Sequence, residues 1–181
     1  MRLFVGIPLA APVVRELTAA SARLRSDGDG LRWSKPESRH ITLQYLGNTE
    51  PGRYECVVAR LGELRLSPVP LWLEGLGCFE RAGVLFAEVR PTPELLLLQR
   101  RVTQATEACG FPVDARPYQP HITLARSKGK GRARGLSALK NRARVASDFT
   151  QLVAGEFLLY ESVPSPSGVD YAIRARFPLG G

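Results

Sequence analysis

The sequence contains few residues of the kinds that crosslink chains or bind metals: three cysteines and two histidines among 181 residues. Cys56, Cys78 and Cys109 are odd in number and show no Cys-x-x-Cys spacing, which argues against a disulfide framework or a zinc knuckle. Two histidines without a clustered carboxylate or thiolate are also a poor ligand set for zinc. We therefore expect no metal, no cofactor and a reducing, cytoplasmic setting.

Long apolar runs are absent as well. No run approaches the roughly 20 apolar residues that cross a bilayer. The apolar stretch from Leu3 to Val14 follows Arg2 like a signal peptide, but Pro8 and Pro12 interrupt it, and a strand followed by a helix explains it better. With 44% hydrophobic and 23% charged residues, the composition is that of an ordinary globular protein. We expect a monomer that contacts no membrane.

Acidic residues are missing from one segment, residues 126–144, which contains eight basic residues. Because the chain has 25 basic and 17 acidic residues, this segment accounts for the whole formal charge of +8. A basic run is usually only a solvated face. Its start five residues after His121 favours instead a polyanionic partner such as nucleic acid.

Both histidines begin the same tetrapeptide, His-Ile-Thr-Leu, at residues 40–43 (the first tetrad) and 121–124 (the second tetrad). In a strand, each tetrad would present its histidine and threonine on one face and its aliphatic residues on the other. A single His-x-Thr is more often a buried structural histidine. Its duplication favours a paired acid and base, since histidine exchanges protons near neutral pH.

The tetrads belong to two copies of one unit, with halves at about residues 1–80 and 81–181. Pro12 and Pro93 each open a helical pattern, and each lies 28 residues before its histidine. We predict an α+β fold, a single domain of two pseudo-symmetric β-α-β-α-β lobes whose sheets flank a central cleft. The other predicted elements are strands at 3–7, 84–89 and 171–177, helices at about 51–64 and 135–145, extended segments at 69–79 and 151–161, and a mobile loop at 129–134.

The phrases around the tetrads resemble a known family. They are Arg-Leu-Phe-Val-Gly-Ile at residues 2–7, Trp-x-Lys-Pro-Glu at 33–37 and Pro-His-Ile-Thr-Leu-Ala-Arg at 120–126. Together they are similar to the RNA 2′,3′-cyclic phosphodiesterases, also called the bacterial and archaeal 2′-5′ RNA ligase-like family, within the two-histidine phosphoesterase superfamily. The resemblance covers essentially the whole chain.

The resemblance implies hydrolysis of a 2′,3′-cyclic phosphate at an RNA end, such as that of a tRNA fragment, to a 2′-phosphate without metal. By position, His40 is the proton donor to the departing 3′ oxygen and His121 the proton acceptor from water. Thr42 and Thr123 bind non-bridging oxygens, and Arg126 helps to neutralise the phosphorane. The reverse reaction, 2′-5′ ligation, is implied as a secondary activity.

Strict alternation, however, places Arg126 on the face opposite His121 and Thr123. Arg126 reaches the site only if the strand ends or bulges at Ala125. If it does neither, Arg126 is an ordinary surface residue.

Further substrate-binding candidates are Trp33 and Tyr118, which could stack a terminal base or equally pack between the lobes. Lys128, Lys130 and Arg132 are candidates for contact with RNA phosphates. Arg39 and Arg116 are weaker candidates for the same role.

Two alternatives stay open. One keeps the mechanism but takes a small nucleotide: a cyclic mononucleotide, an ADP-ribose cyclic phosphate or a 2′-5′ oligoadenylate. The other is a noncatalytic protein that binds RNA ends, although a pure binder has no need of two titrating groups.

The basic segment separates long RNA from small nucleotides as substrates. Replacing Lys128, Lys130 and Arg132 by glutamate removes attraction to a polyanion, so initial rates on a long RNA with a cyclic phosphate end should fall about tenfold or more. Rates on a cyclic mononucleotide should not change, since a small ligand does not reach so many charges. Equal losses on both substrates would contradict this role.

Overall fold

The computed structural model describes residues 1–127, 136, 139, 151–166 and 168–180. Three helices and ten strands lie within these ranges. In chain order the elements are β1 (Arg2–Pro8), α1 (Ala11–Leu24), β2 (Leu31–Trp33), a 3₁₀ turn (Pro36–Ser38), β3 (His40–Asn48), α2 (Pro51–Gly62), β4 (Val69–Leu71), β5 (Leu73–Phe79), β6 (Val84–Val89), α3 (Pro93–Glu107), β7 (His121–Ser127), β8 (Leu152–Ala154), β9 (Glu156–Ser165) and β10 (Gly168–Pro178).

Each helix begins with a proline in its first turn, where the missing N–H costs no hydrogen bond. At the start of α3, the Thr92 hydroxyl also accepts a bond from the Leu95 N–H at 3.2 Å. The apolar side of every helix joins the aliphatic residues of both tetrads in one buried core. Burial of the aliphatic side leaves the histidine side of each tetrad on the opposite face of the sheet. Among the described residues, no helix has the length and apolar character that crossing a membrane requires.

The main sheet is antiparallel and runs in the order β10-β9-β1-β3-β7-β6-β5, with β2 pairing to β7. The two halves exchange strands within it. β5 of the first half pairs with β6 of the second, and β9 of the second half pairs with β1 of the first. β4 and β8, one from each half, form a separate two-stranded sheet. The sheet has two lobes, β10-β9-β1-β3 and β7-β6-β5 with β2, and each lobe contains strands from both halves of the chain.

The predicted α+β fold is confirmed, and its sheets are antiparallel. The predicted extended segments each divide into two strands, β4 and β5 in the first half and β8 and β9 in the second. Of the predicted second-half helix, the structure describes only Leu136 and Leu139, which are helical and buried. The rest of that helix and the predicted loop at 129–134 lie outside the described residues.

Cys56 and Cys109 form a disulfide, a single crosslink rather than the framework that the cysteine count argues against. Their separation of 53 residues hides the pair in the sequence, but α2 and α3 pack together and bring the two Cα atoms to 5.8 Å. Arg53 joins the same elements, since its guanidinium donates to the Gly110 carbonyl at 2.7 Å and lies over the Phe111 ring. An odd cysteine count thus does not exclude one crosslink.

Breaking this disulfide should destabilise the protein. The chain-entropy estimate for a loop of this length is about 4 kcal/mol, so Cys56→Ser should lower the Tm clearly in a thermal melt. Dithiothreitol should lower the Tm of the parent protein and leave that of Cys56→Ser unchanged. A parent Tm that does not respond to dithiothreitol would contradict the crosslink.

Candidate active site

The two tetrads meet at a single residue pair. β3 and β7 are antiparallel and pair only through Ile41 and Ile122. This register sets His40 opposite Thr123 and Thr42 opposite His121, so the two histidines lie on one diagonal and the two threonines on the other. Because the strands separate on either side of the pair, the four polar side chains border one open cavity of about 450 Å³.

A backbone carbonyl holds each imidazole. Nδ1 of His40 donates to the Ser38 carbonyl at 2.8 Å, and Nδ1 of His121 donates to the Gln119 carbonyl at 2.9 Å. A carbonyl only accepts, so Nδ1 carries the proton in both rings and Nε2 is the nitrogen that gains or loses one. Nε2 of His40 lies 3.1 Å from the Thr42 hydroxyl.

The space for the His40 ring depends on a glycine in the neighbouring strand. A Cβ added to Gly6 would lie 2.9 Å from the Ile41 carbonyl and 3.3 Å from Cδ2 of His40. A side chain at this position would therefore displace the strand or the ring. Gly6 is a positioning residue of the site.

Both histidines are pushed towards the neutral form. Burial, then the charges of His121 and Arg126, lower the pKa of His40 to about 4, against the opposing hydrogen bond to Ser38. Burial and the charge of Arg126 also lower the pKa of His121, against its bond to Gln119. Aromatic side chains bury both imidazoles. The rings against His40 are Phe4, Tyr160 and Tyr171, and those against His121 are Phe79 and Phe86.

A bulge brings Arg126 to the histidine face. In the β6–β7 pairing, Phe86 pairs with Thr123 and Leu85 with Ala125, so Leu124 is an extra residue. Leu124 and Ala125 are consequently both buried, and Arg126 returns to the face of Thr123 and lines the cavity. The alternation problem is thereby resolved.

The first tetrad carries the same bulge. In the β1–β3 pairing, Gly6 pairs with Thr42 and Val5 with Gln44, which leaves Leu43 as the extra residue. Tyr45 therefore takes the position in β3 that Arg126 takes in β7. Sequence reasoning missed Tyr45, although its offset of five residues from the tetrad histidine equals that of Arg126.

The cavity also contains basic residues that the sequence motifs did not indicate. Among the described residues the lining contains no carboxylate, and its basic side chains are Arg2, Arg32, Lys35 and Arg126. The Arg2 guanidinium donates to the Tyr45 hydroxyl and lies 5.5 Å from the centre of that ring. Lys35 is paired with Asp170 at 2.7 Å. In the described ranges no cluster of three or more histidine, cysteine, aspartate or glutamate side chains is arranged to hold a metal ion.

Of the two aromatic residues considered for base stacking, one lines the cavity and the other does not. Trp33 lines the cavity, with its indole N–H donating to Asp29 at 2.8 Å. Tyr118 does not line it: its hydroxyl donates to the Thr42 carbonyl at 2.9 Å, and its ring packs against the core. This placement favours packing over base stacking for Tyr118, which supports the first tetrad.

The basic candidates outside the cavity have other partners. Arg39 is buried against α1, where it bonds the hydroxyls of Thr18 and Ser21. Arg116 is an exposed partner of Asp114. Neither lines the cavity, so the phosphate contacts considered for them are not supported. Lys128, Lys130 and Arg132 lie outside the described residues.

Two lobes that each present a His-x-Thr motif to one shared cavity define a two-histidine phosphoesterase fold. The chain belongs to the 2′-5′ RNA ligase superfamily, because the family model of that description matches residues 10–154. The resemblance inferred from the sequence is thus confirmed.

Individual relatives agree with this assignment. An RNA 2′,3′-cyclic phosphodiesterase of Geobacillus stearothermophilus is 33% identical over 135 residues, which span 72% of this chain but only 43% of that protein. One of Archaeoglobus fulgidus is 28% identical over 181 residues, spanning 94% of this chain and 96% of the relative. The crystal structure of E. coli LigT complexed with 3′-AMP has the same fold, with a TM-score of 0.83, 22% identity and coverage of 99% and 98% of the two chains.

The histidine pKa values can be measured directly, because the chain has only two imidazoles. In phosphate-free buffer, an NMR titration should show one histidine with a pKa of about 4 and the other below 6.5. Arg126→Gln should raise both pKa values, since it removes a positive charge. Arg101→Gln, on the exposed side of α3, should raise neither. Two histidines titrating at or above 6.5 in the parent protein would contradict the desolvated site.

Proposed function

We propose that this protein hydrolyses the 2′,3′-cyclic phosphodiester at the 3′ end of RNA to a 2′-phosphomonoester. The observation that carries the proposal is the diagonal placement of two imidazoles, each with Nε2 as the exchanging nitrogen, around one cavity. A phosphorus atom at the centre of that diagonal has one imidazole on its attacking side and one on its leaving side. Hydrolysis needs a proton transfer at each.

In the proposed reaction, Nε2 of His121 accepts a proton from water as the water oxygen bonds to phosphorus. The bond from phosphorus to the 3′ oxygen breaks, and Nε2 of His40 donates the proton that this oxygen requires. The resemblance to the family, and not the geometry, assigns donor and acceptor. Since burial lowers the pKa of His40, the negative charge of the bound phosphodiester keeps this ring protonated in the proposed reaction.

The remaining groups stabilise the pentacovalent transition state. The hydroxyls of Thr42 and Thr123 lie on the second diagonal and bind the non-bridging oxygens. Arg126 adds a guanidinium on the same face. Hydrogen bonds from such preorganised groups matter most where negative charge develops.

The proposed substrates are RNA ends with a 2′,3′-cyclic phosphate, tRNA fragments among them. Trp33, one of the aromatic residues that line the cavity, is proposed to stack a terminal base. The printed names of the relatives support RNA as the substrate class. We further propose a single bilobal domain that acts as a monomer without metal, with 2′-5′ ligation as the reverse reaction. The proposed location is the cytoplasm, although the Cys56–Cys109 disulfide does not support it, since such bonds persist mainly in oxidising compartments.

Removing either imidazole tests the mechanism. His40→Ala and His121→Ala should each lower kcat by about 10²–10⁴-fold on an RNA with a cyclic phosphate end, since each removes one positioned proton transfer. The Arg101→Gln control and addition of EDTA should leave the rate unchanged. End-group analysis should find a 2′-phosphate as the product. A 3′-phosphate, a requirement for added metal, or near-normal rates in either variant would overturn the proposal.

A further inference from the structure

Two arginines lie side by side at one end of the cavity. Arg32 of β2 pairs directly with Arg126 of β7, and both line the cavity. Like charges directly opposite each other in antiparallel strands repel. Within the described part of the chain, no carboxylate forms an ion pair with either guanidinium, whereas Lys35 nearby is neutralised by Asp170. Such a pair is stabilised by an anion that binds from the cavity.

The register places this pair on one side of the reacting phosphorus. β7 runs from His121, through Thr123 opposite His40, to Arg126. The arginine pair therefore lies beyond His40, at the end of the cavity away from His121. Arg32 also extends towards the β9–β10 hairpin, where its Nη1 lies 3.9 Å from the position of a Cβ at Gly168.

The path of the substrate follows from the proposed function, on which this inference rests. Water attacks from the side of His121, and the 3′ oxygen leaves towards His40. The ribose carries that oxygen, so the terminal nucleotide extends past His40, and its 5′ oxygen continues to the next phosphate. We infer that Arg32 binds the phosphodiester on the 5′ side of the terminal nucleotide and so selects RNA ends of two or more nucleotides over cyclic mononucleotides.

This role of Arg32 differs from that of Arg126. Arg126 lies on β7 together with His121 and Thr123 and contributes at the reacting phosphate. Arg32 lies one strand away, on β2, and comes after neither tetrad. Its contact with substrate is the same before and during the reaction, so it lowers KM and leaves kcat unchanged.

The test compares adenosine 2′,3′-cyclic phosphate with the adenylyl dinucleotide that ends in the same group. Arg32→Gln should raise KM for the dinucleotide about tenfold or more, because a charge-assisted bond to phosphate is lost, with kcat unchanged. Its kcat/KM for the mononucleotide should stay within about twofold of the parent value. Arg32→Lys should recover part of the dinucleotide affinity, since it restores the charge without the planar fork. Arg101→Gln is the matched control.

Equal losses on both substrates would overturn the inference, because Arg32 would then act at the reacting phosphate or on the fold. No loss on either substrate would overturn it as well. Thermal melts of Arg32→Gln and Arg32→Lys show whether each variant is folded.

A binding measurement keeps this inference separate from the proposed function. In calorimetry, Arg32→Gln should weaken binding of the dinucleotide 2′-phosphate about tenfold or more and leave binding of 2′-AMP unchanged. This arm requires no turnover. If the parent protein fails to hydrolyse either cyclic phosphate, the proposed function is wrong, and the affinities alone decide the role of Arg32.

Discussion

The site depends on the one residue pair through which β3 and β7 join, Ile41 with Ile122. Both side chains are fully buried in the common core, so their positions are fixed by packing as well as by the pairing. A longer ladder would close the sheet and remove the cavity. Without the pair, the register that sets each histidine opposite the other tetrad's threonine would be lost. This single pair thus fixes the relative positions of the two histidines and leaves an open space between the strands.

The electrostatics of the cavity follow from its composition. Among the described residues its lining is basic and contains no carboxylate, and aromatic rings surround both imidazoles. Such a cavity disfavours a charged histidine, because burial and neighbouring cations oppose protonation. An anionic substrate has the opposite effect, since its negative charge favours the protonated form of the imidazole that it faces. In the proposed reaction, binding and activation of the acid are therefore one event.

Local signals predicted a large part of this arrangement. The three described helices have a proline in the first turn and bury regularly spaced apolar residues, and the tetrads alternate as short strands do. Both patterns are visible in neighbouring residues of the sequence. The strand exchange between halves was not predictable in this way, because any apolar strand fits beside any other until the whole sheet is assembled. β2 has only three residues and exists through its pairing with β7.

The bulges and the crosslink were hidden for related reasons. Leu124 and Ala125 are apolar neighbours in the sequence, and nothing local distinguishes a bulge there from the end of a strand. Leu43 occupies the same place in the first tetrad, so both repeats share the bulge. The Cys56–Cys109 pair depends on how α2 packs against α3, which no spacing rule contains.

The repeat gives the two imidazoles the same backbone hydrogen bond through Nδ1, whereas the two ends of the cavity differ in charge. Past His40 the cavity ends in Arg32 and Arg126, two guanidiniums without carboxylate partners among the described residues. Past His121 it ends in Tyr45, whose hydroxyl and ring engage Arg2. A polyanionic chain is held more strongly by the first end than by the second. In the proposed reaction an RNA chain held at that end directs its 3′ oxygen towards His40, which agrees with the donor role that the family resemblance assigns to this histidine.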